Sequence, residues 1–382
     1  MRVGFFTYGM EDRLTGIGRY ARELTYALRG LDPTLEIILL NPYPGSPLPW
    51  YGDFPCEPLP ALARLPAVLA LGSAQLERAA RRLHLDVLHD PCGIAPFVAP
   101  RSQTRRVVTV HDAIPYRHPE LQPALTRLVF QTLVRAARWT VDAVVTVSQS
   151  AGSDLMRYTG LPPSALHVTP LGTDHPRDSD LQAWRAAFPA LAQRYGLTQP
   201  YVLHVGAVNA RKNIGRLLDA MCTVRQHRPA VGLVLVGPDS PSLQALRGGA
   251  AWEPQAVRHL NYVGQETLHA LYANAAAVAV PSLYEGFGLP ALEAMAHEAP
   301  VVASDRSSLP EVVGDAGILV DPLNTAALAA ALEQVLGPTS LGPELARAGR
   351  ERARRFTWEA TARATLAVYE EVCARAAPAR AG

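Results

Sequence analysis

Short apolar, β-branched runs alternate with helix-patterned stretches along nearly the whole chain, and the alternation runs through twice. The first series reads RVGFFTY (2–8), RYARELTYALRG (19–30), EIILLN (36–41), DVLHD (86–90), RRVVTVHD (105–112) and DAVVTVS (142–148). The second opens with YVLHVGAV (201–208) and a helix from about Asn213, then gives GLVLVGP (232–238), HLNYVG (259–264), AVAVPS (277–282), PVVAS (300–304) and GILVD (317–321). Strands separated by helices return to the same sheet in parallel, and a parallel sheet needs helices on both faces. The spacing therefore predicts an α/β chain with two parallel-sheet halves in tandem. Between them lies PLGTDHPRDSDLQAW (170–184), rich in Pro, Asp and Ser, then a short helical piece and LTQP (197–200). The expected division is 1–178 as a first domain, 179–200 as linker, 201–355 as a second domain, and 356–382 as a C-terminal helix packing back towards the first domain. That last segment begins FTWEATARATLAVYEEVCARA (356–376), with Thr357 as N-cap and Glu359 in the first turn. Strand carboxyl ends from both halves would face a ligand in a cleft.

Composition removes other classes. With 382 residues, 48% of them hydrophobic, the chain can bury two cores. Its net charge of +2 lacks the concentrated basic face of a nucleic-acid binder. Cys56, Cys92, Cys222 and Cys373 lie far apart with no CxxC spacing, so they read as buried thiols in a reducing compartment, not as disulfide or zinc ligands. MRVGFFTYGMEDR has too short an apolar run for a secretory leader. No stretch approaches the roughly 18 apolar residues of a membrane span, and the expected location is the cytoplasm.

Two stretches of the second half carry chemistry. Arg211 and Lys212 follow the strand YVLHVGAV and precede NIGRLLDAM, which places two cations at a helix start. Free backbone N–H groups and the positive end of the helix dipole favour anions there, and the cations extend that preference to a diphosphate. A solvated Arg-Lys pair is the plainer reading. Against it, Lys212 is the only lysine among 36 lysines and arginines, and a compact ammonium meets a phosphate as a point charge where a guanidinium imposes a planar fork. The second stretch is PSLYEGFGLPALEAMAHEAPVVAS (281–304). A strand ends near Pro281, Gly286-Phe287-Gly288 turns the chain, and Pro290 suits the first turn of a helix. Glu285 falls in the loop and Glu293 on the first or second helical turn. Each alone could be a surface acid or a dipole partner.

Glu285-x7-Glu293 within EGFGLPALE, with VGAVNARK (205–212) before it and PVVASDRSSLPEVVGDAG (300–317) after it, resembles the donor half of the retaining nucleotide-sugar glycosyltransferases of family 4. GIGRYARELTYAL (16–28), HDAIPYRHPE (111–120), TVSQSAGSDL (146–155) and TPLGTD (169–174) extend the resemblance over nearly the whole chain. It implies the GT-B fold, in which two Rossmann-like parallel-sheet domains, one for the acceptor and one for the nucleotide sugar, face a central cleft. It also implies roles. Arg211 and Lys212 would hold the diphosphate and stabilise it as leaving group, Glu285 would accept hydrogen bonds from sugar hydroxyls, and Glu293 from the ribose. Gly206 and the backbone around Gly288, Leu289 and Pro290 would line the sugar and phosphates, although Pro290 has no N–H to give. Val263, in NYVGQ, would contact the nucleobase.

In the first half, TGIGRYARE (15–23) gives GxGxxA and raises a dinucleotide-binding alternative. EDRLT (11–15) separates it from the strand, and the second strand ends in Asn41 where a ribose-binding acid would be needed. The resemblance instead treats the glycines as a loop, with Gly16 and Gly18 approaching the donor phosphate or the acceptor. His111 closes RRVVTVHD at the strand's carboxyl end and would lie near the transferred sugar, without having to act as a base. QLERAARRLH (75–84) and ALTRLVFQTLVRAARW (124–139) are candidates for peripheral contact with a membrane bearing a lipid-linked acceptor, or simply cover the sheet. The resemblance thus implies a metal-independent retaining hexosyltransferase without a cofactor, taking a nucleoside-diphosphate sugar, first of all GDP-mannose, to a glycan or lipid-linked glycan. A phosphorylase would need a lysine for pyridoxal phosphate, and the one lysine is already placed at the phosphate turn. A same-fold epimerase or a non-catalytic sugar-nucleotide-binding subunit remains as an alternative.

Overall fold

Nearly every run that reads as strand is buried on both faces, as a sheet between two helical layers requires. The computed structural model describes residues 1–12, 14–98, 103–121, 123–338 and 341–375. The chain divides into two units, one holding residues up to Gly172 and from Thr357 onward, the other Thr173–Phe356.

The first unit is built on β1 (Arg2–Phe6), β2 (Glu36–Asn41), β3 (Cys56–Pro58), β4 (Val87–Asp90), β5 (Arg105–Thr109), β6 (Ala143–Thr146) and β7 (Leu166–Val168). All pairings are parallel, in the order β3-β2-β1-β4-β5-β6-β7, with Val3 of β1 beside both Ile37 and Val87. Phe6, Leu40, Leu88 and Val144 belong to a core with Leu76 and Val134 from the covering helices. The helix Trp358–Ala374 packs in this unit against the helix Gly16–Leu31. It is capped as the sequence suggests, Thr357 accepting from the Ala360 N–H at 3.0 Å. It is also tied to the sheet by polar contacts. Tyr369 Oη lies 2.6 Å from Nδ1 of His89 on β4, and His89 Nε2 lies 2.8 Å from Thr109 Oγ1 on β5. Burial pushes the His89 imidazole down to about 3, so it is neutral and donates through one nitrogen while accepting through the other. Residues 376–382 of the expected C-terminal segment lie outside the described residues.

The second unit carries β8 (Tyr201–Val205), β9 (Gly232–Val236), β10 (Val257–Leu260), β11 (Ala277–Val280), β12 (Val301–Ser304) and β13 (Ile318–Val320). Their order is β10-β9-β8-β11-β12-β13, again all parallel, which is the doubly wound arrangement. Leu203, Val278 and their neighbours are wholly buried.

Several expectations need correction. The stretch expected as linker, 179–200, is mostly the helix Asp178–Tyr195, which belongs to the second unit and packs on the helix Gln265–Ala273. Only Leu181 and Phe188 of it are buried, so its apolar face is too narrow to stand out against the polar residues around it. The division itself falls at Gly172, where a Cβ would run into the backbone of Thr357 and Trp358. Edge strands β3 and β7 have three residues each and no apolar run to announce them. β10 ends at Leu260, since its pairing with β9 stops there and Asn261–Gly264 turn away as a loop. Among the cysteines, Cys56 and Cys373 are exposed and Cys92 and Cys222 half-buried, so none is the buried thiol expected. No helix among the described residues is long and apolar enough to cross a membrane.

Candidate active site

In a parallel sheet every strand delivers its following loop to the same edge. In the second unit the strand order reverses between β8 and β11, so the loops after these neighbours leave in opposite directions and open a crevice at that point. The loop after β8 holds Arg211 and Lys212, and the loop after β11 holds Glu285. The loops are joined directly, the Leu283 N–H donating to the Arg211 carbonyl at 2.8 Å.

This adjacency brings together residues 73 and 74 positions apart. Lys212 Nζ donates to Glu285 Oε1 at 2.6 Å, and Arg211 Nη1 donates to Glu285 Oε2 at 2.7 Å and to the Tyr284 carbonyl at 2.6 Å. Lys212 and Glu285 are each 7% exposed. Burial alone would raise the Glu285 carboxyl, but Lys212 and then Arg211 outweigh it and hold the group at about 2. A carboxylate between two cations leaves one positive charge over, which suits an anion.

Local sequence explains how the turn forms. Asn209 Oδ1 accepts from the Lys212 N–H at 3.1 Å and caps a 3₁₀ turn over Ala210–Lys212. Asn213 follows in the left-handed region at φ 59°, and its Nδ2 reaches the Pro281 and Pro322 carbonyls at 3.1 and 2.7 Å. The helix Ile214–His227 starts only then. The two cations therefore occupy a separate turn just ahead of the helix, not its first residues.

The structure also gives a reason for lysine at 212. Gly206 has φ +141°, and the Cβ it lacks would lie 3.3 Å from Lys212 Cε and 3.4 Å from Nζ. The ammonium packs against a bare Cα, which lets it sit close to the backbone of the turn.

Glu285 is held from behind. Its N–H donates to Ser307 Oγ at 2.8 Å, and Ser308 Oγ lies 2.9 and 2.7 Å from the carbonyl oxygens of Glu285 and Phe287, which share its one hydrogen. Gly288, at φ +109°, caps the helix Leu289–Ala296, and a Cβ there would press to 2.8 Å from Leu309 Cδ2. Leu289 and Pro290 open that helix, and Glu293 lies on its second turn, buried, accepting from Tyr272 Oη at 2.8 Å. Val263 follows β10 in a loop whose Asn261 Oδ1 accepts from the Asp239 N–H at 3.1 Å, tying it to the loop after β9. Gly206, Arg211, Lys212, Val263, Glu285, Gly288 and Glu293 thus all project from the carboxyl edge of one sheet.

In the first unit His111 follows β5 at the corresponding edge. Its Nε2 lies 2.8 Å from the Pro91 carbonyl and must donate, leaving Nδ1 as an acceptor. Burial pushes the ring down to about 4, and Tyr20 packs edge-on at 4.9 Å. Gly16 and Gly18 are not in a loop: they are the first and third residues of the helix Gly16–Leu31. A Cβ at Gly18 would meet Leu14 Cδ2 at 2.9 Å, which gives that glycine an internal packing reason. A Cβ at Gly16 would meet nothing within 4 Å. Sequence reading missed Asn209, Asn213, Ser307, Ser308 and Tyr272. The two asparagines were visible as turn formers flanking ARK; nothing local marks the others.

Residues 14–177 match the family described as Glycosyltransferase Family 4, and residues 199–337 that described as Glycosyl transferases group 1. The chain is 31% identical to the O-antigen chain mannosyltransferase B of Escherichia coli over 97% of its own length and the whole of that protein. It belongs to glycosyltransferase family 4. A second relative of this family 4 glycosyltransferase is the MMP α-(1→4)-mannosyltransferase of Mycolicibacterium hassiacum, 30% identical over 99% of this chain and all of that one. Sucrose-phosphate synthase from Thermosynechococcus elongatus shares the GT-B fold, with a TM-score of 0.79 over 98% of this chain and the whole of the other at 22% identity.

Proposed function

We propose that this family 4 glycosyltransferase moves a hexose, with retention, from a nucleoside-diphosphate sugar to a hydroxyl of a glycan or lipid-linked glycan. The observation that carries the reading is the pair of cations, Lys212 buried and Arg211 half-buried, sharing one buried carboxylate at the switch point of the second sheet. As the donor enters, its sugar hydroxyls take over the Glu285 carboxylate and its diphosphate takes over Arg211 and Lys212. The bond from the anomeric carbon to the diphosphate oxygen then breaks, and the acceptor oxygen bonds to the same face. The acceptor proton passes to the departing diphosphate. Negative charge grows on that diphosphate, so fixed cations lower the barrier. Gly206, Gly288 and Leu289 let backbone approach the phosphates, Glu293 accepts from the ribose, and Val263 meets the base. In the first unit His111 is neutral, and its Nδ1 is suited to accept a hydrogen from a sugar hydroxyl. Neither metal nor cofactor enters these steps.

GDP-mannose is the first donor to test, because the two relatives described above, at 31% and 30% identity, are named as mannosyltransferases. The acceptor side includes the helix Ala124–Thr140, which exposes Leu125, Leu128 and Trp139, with the Arg138 guanidinium 4.3 Å over the Trp139 ring. That face suits an anionic bilayer carrying a lipid-linked acceptor. The other arginine-bearing stretch, 75–84, buries Leu76, Ala79 and Ala80 and pairs Arg81 with Glu77, so it covers the sheet.

A thermal-shift panel of GDP-, UDP-, ADP- and dTDP-sugars tests the reading. A ligand at a hundredfold its Kd stabilises by about 2.7 kcal/mol, and GDP-mannose is expected to raise the melting temperature most, equally with and without EDTA. No shift with any of them would overturn the proposal, and NMR of the product's anomeric configuration checks retention.

A further inference from the structure

His204 lies on β8, two residues before Gly206, and its imidazole is wholly buried. Its Nδ1 is 2.9 Å from the Ala279 carbonyl oxygen on β11. A carbonyl only accepts, so Nδ1 carries the hydrogen. Burial, and next the charge of Lys212, pushes the ring down to about 4, so at neutral pH Nε2 presents a bare lone pair. That nitrogen has no hydrogen-bond partner among the described residues. Leaving a buried acceptor unpaired is destabilising.

The space it faces belongs to the phosphate turn. The Cβ missing from Gly206 would lie 3.7 Å from His204 Nε2 and 3.4 Å from Lys212 Nζ, so acceptor and ammonium border the same gap. The ammonium has three hydrogens, and Glu285 Oε1 takes one. We propose that His204 is a positioning residue for Lys212: its Nε2 accepts an ammonium hydrogen when Glu285 turns to the donor's sugar, and so holds Nζ against the diphosphate. This rests on the reading of the site given above. A neutral acceptor fits the task better than a carboxylate, because it orients the ammonium without cancelling the charge the diphosphate needs. Glycine at 206 keeps the gap open.

Two substitutions separate the atoms concerned. His204→Asn keeps an N–H at the level of Nδ1 for the Ala279 carbonyl and removes the atom at Nε2; His204→Gln returns an oxygen acceptor at that reach. In calorimetric titrations with GDP and UDP, His204→Asn should weaken the binding nucleotide about tenfold, with a rise in donor KM, and His204→Gln should recover most of the loss. On a Lys212→Ala background, His204→Asn should cost nothing further, since it acts through the ammonium. Melting each variant without ligand separates folding from binding, and His204→Met, which fills the volume without a strong acceptor, replaces Asn if that variant does not fold. Wild-type affinity in His204→Asn alongside a loss in Lys212→Ala would overturn this inference and leave the functional reading standing. A loss that persists unchanged without Lys212 would assign His204 a structural role only. Undiminished nucleotide binding by Lys212→Ala would overturn the functional reading itself.

Discussion

Glu285 shows how one carboxyl can serve both stability and binding. Its folded value of about 2 lies below the ordinary 4.5, so the group binds fewer protons folded than unfolded between those limits. Its contribution is therefore fully present above about pH 4.5 and is lost as pH falls towards 2. Urea unfolding midpoints followed from pH 5.5 down to about pH 3 should drop more steeply for the wild type than for Glu285→Gln. Parallel slopes would mean that the pair with Lys212 and Arg211 does not couple folding to protonation. At this scale the solitary lysine was legible as a candidate phosphate ligand, because the remaining cations of the chain are all arginines. The packing of its ammonium against the bare Cα of Gly206 was not, since no spacing rule links residues 206 and 212 in space.

Among the elements, short turns matter more to the site than the long helices. The 3₁₀ turn over Ala210–Lys212 is held by Asn209 in front and Asn213 behind, and Asn213 reaches across to the carbonyls of Pro281 and Pro322. Replacing Asn213 by Gly keeps the left-handed backbone available but deletes these two bonds and the one its Oδ1 accepts from Arg216 Nη1, costing about 1–3 kcal/mol. Asn213→Ala should cost roughly 1 kcal/mol more, because a Cβ penalises φ near +59°. Chemical denaturation of the two variants gives the comparison; equal stability of the two would remove the backbone's share of the argument. Most strands were legible from their apolar runs, and Thr357 and Pro290 marked their helix starts correctly. Edge strands β3 and β7 were not, because a three-residue strand at a sheet edge owes its place to pairing with a neighbour rather than to its own pattern. The helix Asp178–Tyr195 reads in the sequence only as a short helical piece inside a linker for a related reason: its two buried residues acquire a face only when the helix Gln265–Ala273 is there to receive it.

At the scale of the molecule, both units use one plan, a parallel sheet whose strand order reverses once, and each presents candidate residues at its carboxyl edge. The exposed face of the helix Ala124–Thr140 adds a prediction. Sedimentation with anionic phospholipid vesicles at low salt should carry the protein down. Leu125→Glu combined with Leu128→Glu should abolish this without changing the melting temperature, and raised salt should weaken it. Equal binding to neutral vesicles, or none to either, would refute the bilayer assignment. The sequence by itself determined the class of fold, the two-part organisation, the family and the residues that meet the donor in the proposal, because strand periodicity, turn chemistry and ordered motifs are local properties. Only the tertiary structure decided that Arg211 and Lys212 share the carboxylate of Glu285, that Gly18 faces Leu14, that the chain divides at Gly172, and that His204 turns an unpaired nitrogen towards the same gap as Lys212. The shared carboxylate and the placing of His204 against Ala279 follow from β8 and β11 lying side by side at the reversal of the sheet, a pairing between segments more than 70 residues apart that no local pattern encodes.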